Sequence, residues 1–146
     1  MRMWRIAVVA TAATAAAFGV VAYAETTANG LPAYTNGYAR WHRINARPFT
    51  KCGPPCAHSG LKNVYASKRK RDARFPNGTV VVKTVAQPGD KPSLPRQVAV
   101  MRKLDEVWRF VEYARTGTSY AVIGQGTFCQ SCHLRARAND FVFTKR

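Results

Sequence analysis

Between residues 63 and 123 the chain repeats short apolar or alternating runs, each closed by residues that favour turns. The run 79–85 (Thr79, Val80, Val81, Val82, Lys83, Thr84, Val85) is the densest in β-branched residues and predicts a strand. Residues 97–102 and 107–113 predict two more, 119–123 a fourth after the turn 116–118, and 63–67 a shorter one. Phe75-Pro76-Asn77-Gly78 predicts a tight reversal, because proline presets φ and Asn-Gly accepts the positive φ that follows. Residues 87–95 hold three prolines and read as a loop. Residues 25–37 read as an irregular lead-in. The segment 38–49, broken by Pro48, is a short helix or an extended piece, and 134–138 adds a helical turn. Strands at such regular spacing, joined by Gly and Pro turns, predict a mainly β (α+β) fold: an antiparallel sheet with short helices.

The N-terminus follows another pattern. Arg2 and Arg5 precede an unbroken apolar and small-residue stretch over 6–21, and Ala22-Tyr23-Ala24 offers small residues at the −3 and −1 positions of a cleavage site. Residues 1–24 therefore predict a secretory signal peptide rather than a retained membrane anchor, with one domain over 25–146. Cleavage of 24 from 146 residues leaves 122, with 21 basic against 7 acidic side chains and a formal charge of +14. So basic a surface attracts anionic partners: an acidic redox protein, a membrane surface or a small anion. Export argues against nucleic acid.

Cys129-Gln130-Ser131-Cys132-His133 carries the chemistry. Two thiols at this spacing reach the two vinyl groups on one porphyrin edge, and the adjacent imidazole is placed as proximal iron ligand. A thioredoxin-like pair or half a zinc site fits less well, since no second Cys-x-x-Cys exists and no strand–helix pattern follows. Covalent haem c is attached outside the bacterial cytoplasm, so motif and leader agree on a periplasmic c-type cytochrome. The remaining cysteines, Cys52 and Cys56, enclose Gly53-Pro54-Pro55 and predict a short-loop disulfide. Ala57 follows Cys56 where a second haem would need histidine, so one covalent haem is expected.

Several blocks in this order resemble the cytochrome P-460 family, which includes the cytochromes c′-beta. They are Tyr38-Ala39-Arg40-Trp41-His42-Arg43-Ile44-Asn45, Ala57-His58-Ser59-Gly60 leading to Asn63-Val64-Tyr65, and the Phe75-Pro76-Asn77-Gly78 turn with its strand through Lys83. Val98 to Lys103, Trp108 to Tyr113, the haem motif and Asn139 to Thr144 complete the series. The resemblance implies an antiparallel β fold, usually a homodimer, one haem c per chain, His133 as proximal ligand and an open distal face. It also implies one of two activities. The P-460 type oxidises hydroxylamine and carries a lysine–haem cross-link, whereas the c′-beta type lacks the link and binds nitric oxide.

Lys83, in the strand after the turn, is the candidate for that link; its alternative is a strand residue facing solvent. Thr84 departs from relatives, which often have an acid there. Hydroxylamine oxidation needs a proton acceptor. Glu112 and Glu106 are the candidate distal bases, and each has the alternative of a surface charge. Met101, the sole methionine after the leader, would be the sixth ligand of an electron carrier or else a core residue. His42 and His58 are weighed as distal groups or structural hydrogen-bonders. Phe75, Trp108, Phe110 and Phe128 can wall a haem pocket, and Arg135 and Arg137 can meet its propionates.

Overall fold

The computed structural model describes residues 26–50 and 58–144. The leader and the Cys52–Cys56 pair lie outside the described residues. Among the described residues six strands form one antiparallel meander in chain order: β1 (His42–Arg43), β2 (Leu61–Ala66), β3 (Val80–Ala86), β4 (Gln97–Leu104), β5 (Val107–Thr116) and β6 (Ser119–Gln125). The α-helix α1 (Thr127–His133), the single one among the described residues, follows, and 3₁₀ turns over Leu134–Asn139 carry the chain back to the sheet.

The expected strands form where β-branched and aromatic residues were read, and several run on by one to three residues. In β5 the extension includes paired residues that lack an apolar signature of their own, Arg115 and Thr116. The segment 38–49 combines both expected forms, a 3₁₀ turn at Tyr38–Arg40 and the two-residue β1. Two-residue turns close the last hairpins. Asp105 and Glu106 both take positive φ between β4 and β5, and Gly117 supplies φ 63° between β5 and β6. Such turns match the twist of the strands they join.

The sheet is covered on both faces. On one, Val64, Ala66, Val81, Met101, Trp108 and Phe110 pack with Phe75 and Val142. On the other, Val80, Val82, Val98, Val100, Tyr113 and Tyr120 pack with Leu31. Val82 and Val98 are fully buried, and each such side chain contributes about 1.5–3 kcal/mol relative to exposure. The proline loop is held over the second face. Arg115 binds Asp90 at 2.7 Å and the Leu94 carbonyl at 2.6 Å, and the Tyr120 hydroxyl donates to the Pro95 carbonyl at 2.8 Å.

Candidate functional site

Helix α1 starts at Gly126, whose φ of 63° and ψ of −133° suit glycine and no other residue well. The helix places Cys129, Cys132 and His133 at i, i+3 and i+4, so all three share one side of a single turn. Both cysteines are free thiols. With Met101, Phe110, Glu112 and His58 they line a cavity of about 430 Å³ against the sheet, within the range of about 300–1,000 Å³ typical of cofactor sites.

His133 is held on three sides. Phe110 lies 4.8 Å away between ring centroids and Phe143 lies 5.2 Å away. Its Nδ1 is 2.7 Å from the Phe141 carbonyl, which can only accept, so Nδ1 carries the proton and Nε2 keeps its lone pair. Burial pushes its pKa down to about 4, against the opposing hydrogen bond to Phe141. At neutral pH this is an uncharged imidazole presenting one nitrogen, the form that ligates a metal.

Register aligns the other candidates. Lys83 on β3 stands opposite Ala99 on β4, and Ala99 stands opposite Glu112 on β5. Paired residues project to the same face, so Lys83 and Glu112 flank a small alanine on the face that meets α1. Lys83 is 9% exposed, so it does not face solvent. Burial pushes its ammonium down to about 8, against the opposing pull of the Glu112 carboxylate. It lines a second, small recess together with His133 and Met101.

Glu112 is 6% exposed, and its Oε1 lies 2.8 Å from His58 Nδ1. The contact is close without the alignment of a good hydrogen bond, and neither atom has another polar partner among the described residues. The sheet is irregular at this point. Glu112 pairs Gly124 while Tyr113 pairs Val122, which leaves Ile123 as the extra residue of a bulge. Bulges bend the strand and re-aim side chains, and they are common beside functional sites.

Glu106 is not brought to the cavity. It occupies the β4–β5 turn, largely exposed, with its carboxylate 3.1 Å from Lys103 Nζ. It lies six positions before Glu112, about 20 Å along a strand. Met101 is buried in the apolar cluster between Val81 and Phe110. His42 lies exposed on the edge strand, 3.4 Å from Arg69. Trp108 is buried edge-on to Phe75, Phe128 is 73% exposed beside the cysteines, and Arg135 and Arg137 lie on the surface after His133.

Sequence reasoning overlooked the pairing of His58 with Glu112 and the roles of Phe141 and Phe143 around His133. Within the sequence their signal was their place in the block 139–144 and in Ala57-His58-Ser59-Gly60, and neither gives a spatial partner.

The donor set fits haem: two thiols on one helix turn, a neutral imidazole with a free nitrogen, and a mostly apolar cavity containing one under-satisfied carboxylate. No curated protein and no solved structure matches the chain. The family model for cytochrome P460 matches residues 35–144, from just before the Tyr38–Arg40 turn through the segment that packs on His133. The chain belongs to the cytochrome P460 family, whose cofactor is haem.

Proposed function

We propose that this is an exported, periplasmic mono-haem c protein that binds hydroxylamine or nitric oxide at an open iron position and oxidises hydroxylamine. Cys129 and Cys132 would hold the haem covalently and His133 would ligate its iron. When bound, the haem would supply a redox-active iron for a small nitrogenous ligand, and the basic surface would favour an anionic external partner as electron acceptor. The single observation that carries the oxidative reading is the buried Glu112, an acceptor lining the same cavity as the cysteines and His133.

A carboxylate in this position removes a proton from the substrate nitrogen. His58, 2.8 Å from Glu112 and partly exposed, passes that proton towards solvent. Phe110 and Met101 keep the cavity apolar, so a proton leaves through this pair rather than through bulk water. Lys83 is the residue that would form a haem cross-link, a porphyrin C–H and an amine N–H giving way to a C–N bond with two protons and two electrons lost to an external oxidant such as a peroxide. An amine whose pKa is lowered by burial is a better nucleophile near neutral pH than an ordinary lysine.

The second reading is a non-enzymatic nitric oxide binder of the c′-beta type. It is favoured by Thr84, which stands beside Lys83 where relatives often carry an acid. The six-coordinate electron-carrier reading would use Met101, which is packed among Val81 and Phe110. A homodimer is part of the proposal. The exposed apolar residues Val122, Ile123, Phe128 and Leu134 on β6, α1 and the turn after it support one.

Glu112→Gln is the decisive variant. Hydroxylamine oxidation should fall about 10²–10⁴-fold, while haem content and carbon monoxide binding stay as in the wild type. An unchanged rate would remove Glu112 from the mechanism. Wild-type protein that binds nitric oxide but never turns over hydroxylamine would establish the c′-beta reading instead. Peptide mass of the haem fragment shows whether Lys83 is linked.

A further inference from the structure

Beyond the haem motif the chain reverses through two consecutive left-handed residues, Asp140 at φ 53° and Phe141 at φ 63°. A bulky aromatic residue rarely takes this conformation, and it persists only where the surroundings hold it. Here the surroundings are explicit. The Asp140 carboxylate accepts from the Phe75 backbone N–H at 2.8 Å and from Trp108 Nε1 at 3.2 Å, and lies 3.4 Å from Lys103 Nζ. Lys103 also donates to the Phe75 carbonyl at 2.8 Å and faces Glu106 at 3.1 Å. Burial alone would raise the Asp140 pKa, but these donors outweigh it and hold the carboxyl below the usual range.

The next residue delivers the consequence. Phe141 donates its N–H to the Ala136 carbonyl at 2.9 Å, and its own carbonyl receives the His133 Nδ1 proton at 2.7 Å. Phe110 and Phe143 limit the tilt of the imidazole, but only this carbonyl sets its tautomer. We infer that Asp140 is a positioning residue for the proximal ligand: clamped by Phe75, Lys103 and Trp108, it holds the reversed backbone that aims the Phe141 carbonyl at His133. The strength of that hydrogen bond governs how much electron density Nε2 offers to iron, because an acceptor on Nδ1 makes the imidazole a stronger base.

The alternative is that Asp140 merely anchors the C-terminal segment. Five of the six non-glycine positive-φ residues among those described (Asp72, Ala73, Glu106, Asp140 and Phe141) line one groove around Lys103. An anchor would hold that end of the sheet together, and its loss would lower stability without touching the iron–histidine bond. The two roles therefore differ in a spectroscopic readout.

The experiment uses the haem-loaded protein and compares wild type with Asp140→Asn, Asp140→Ala and Trp108→Phe. The ferrous iron–histidine stretch is measured by resonance Raman and the midpoint potential by redox titration. Asp140→Ala should move the stretch to lower frequency and the potential upward. Asp140→Asn, which keeps one acceptor oxygen, should recover part of both shifts, and Trp108→Phe should give a smaller change in the same direction. If Asp140→Ala yields no holoprotein, the other two variants carry the test. An unmoved stretch and potential in the folded variants would overturn the inference. It rests on His133 as proximal ligand: a wild-type protein without an iron–histidine stretch would sink that reading, whereas a stretch present but unmoved sinks only the clamp.

Discussion

The two faces of this one sheet solve opposite problems. The face against Leu31, Tyr34, Tyr38 and Trp41 buries valines and tyrosines. Its polar atoms are few and reach partners at the rim: the Tyr120 hydroxyl meets Pro95, and Arg102 lies over the Tyr34 ring at 4.5 Å. Burial pushes the Tyr113 and Tyr120 phenols up to about 12, so they stay neutral. The face against α1 buries Lys62, Lys83, Lys103, Glu112, His133 and Asp140. Lys62 and Lys103 give their ammonium hydrogens to backbone carbonyls, whereas Lys83 makes no hydrogen bond to a described residue. A buried charge costs stability unless paired. A sheet that keeps one face apolar and loads the other with ionisable groups has concentrated its chemistry where α1 docks. The first face holds the fold, and the second gives up some stability to hold a cofactor.

Adjacent residues of β3 test this contrast most sharply. Val82, fully buried on the apolar face, should not accept a lysine: Val82→Lys inserts an unpaired ammonium and should cost at least about 3–5 kcal/mol, seen as loss of folded protein. Lys83→Met, one residue away on the other face, should leave the fold intact and, compared in haem-free protein where the amine is unlinked, raise stability at pH 7. The sign follows from linkage. The folded state holds the Lys83 proton less tightly, with a pKa of about 8 against 10.5. The penalty is therefore constant below about pH 8 and is relieved as pH rises to 10.5. The gain from Lys83→Met should be at most about 3 kcal/mol at pH 7 and shrink above pH 8, by chemical denaturation at several pH values. A gain that does not shrink would mean the ammonium carries no burial penalty.

A smaller effect is expected within the apolar face. Tyr120→Phe removes one buried hydroxyl and strands the Pro95 carbonyl, for a loss of about 1 kcal/mol and no change in the haem spectrum. An altered spectrum would show that the two faces are coupled. The smallest effect belongs to Glu106→Gln. An exposed turn carboxylate should change stability by no more than about 0.5 kcal/mol and leave hydroxylamine turnover unaltered. A lost activity there would break the assignment of the cavity to Glu112.

The antiparallel meander was readable in outline because each strand carries its own β-branched or alternating run, and each turn its own Gly, Pro or Asn. The motif of Cys129, Cys132 and His133 was readable for a related reason. Its members are neighbours in sequence, so one helical turn places them together whatever the rest of the chain does. Glu112 and Glu106 looked equivalent in sequence, both acids at the margins of one strand. Register separated them, since pairing with Ala99 sends Glu112 into the cavity and the hairpin turn sends Glu106 to solvent.

Local sequence therefore determined what depends on neighbours along the chain: strand type, turn chemistry and the spacing of Cys129, Cys132 and His133. Tertiary structure alone decided what depends on residues far apart. It lined up Lys83, Ala99 and Glu112 across three strands, set His58 against Glu112, and gathered Phe75, Lys103 and Trp108 around Asp140. The physical reason is that burial and pairing set the charge state of an ionisable side chain, and both are properties of the packed sheet that no single segment carries.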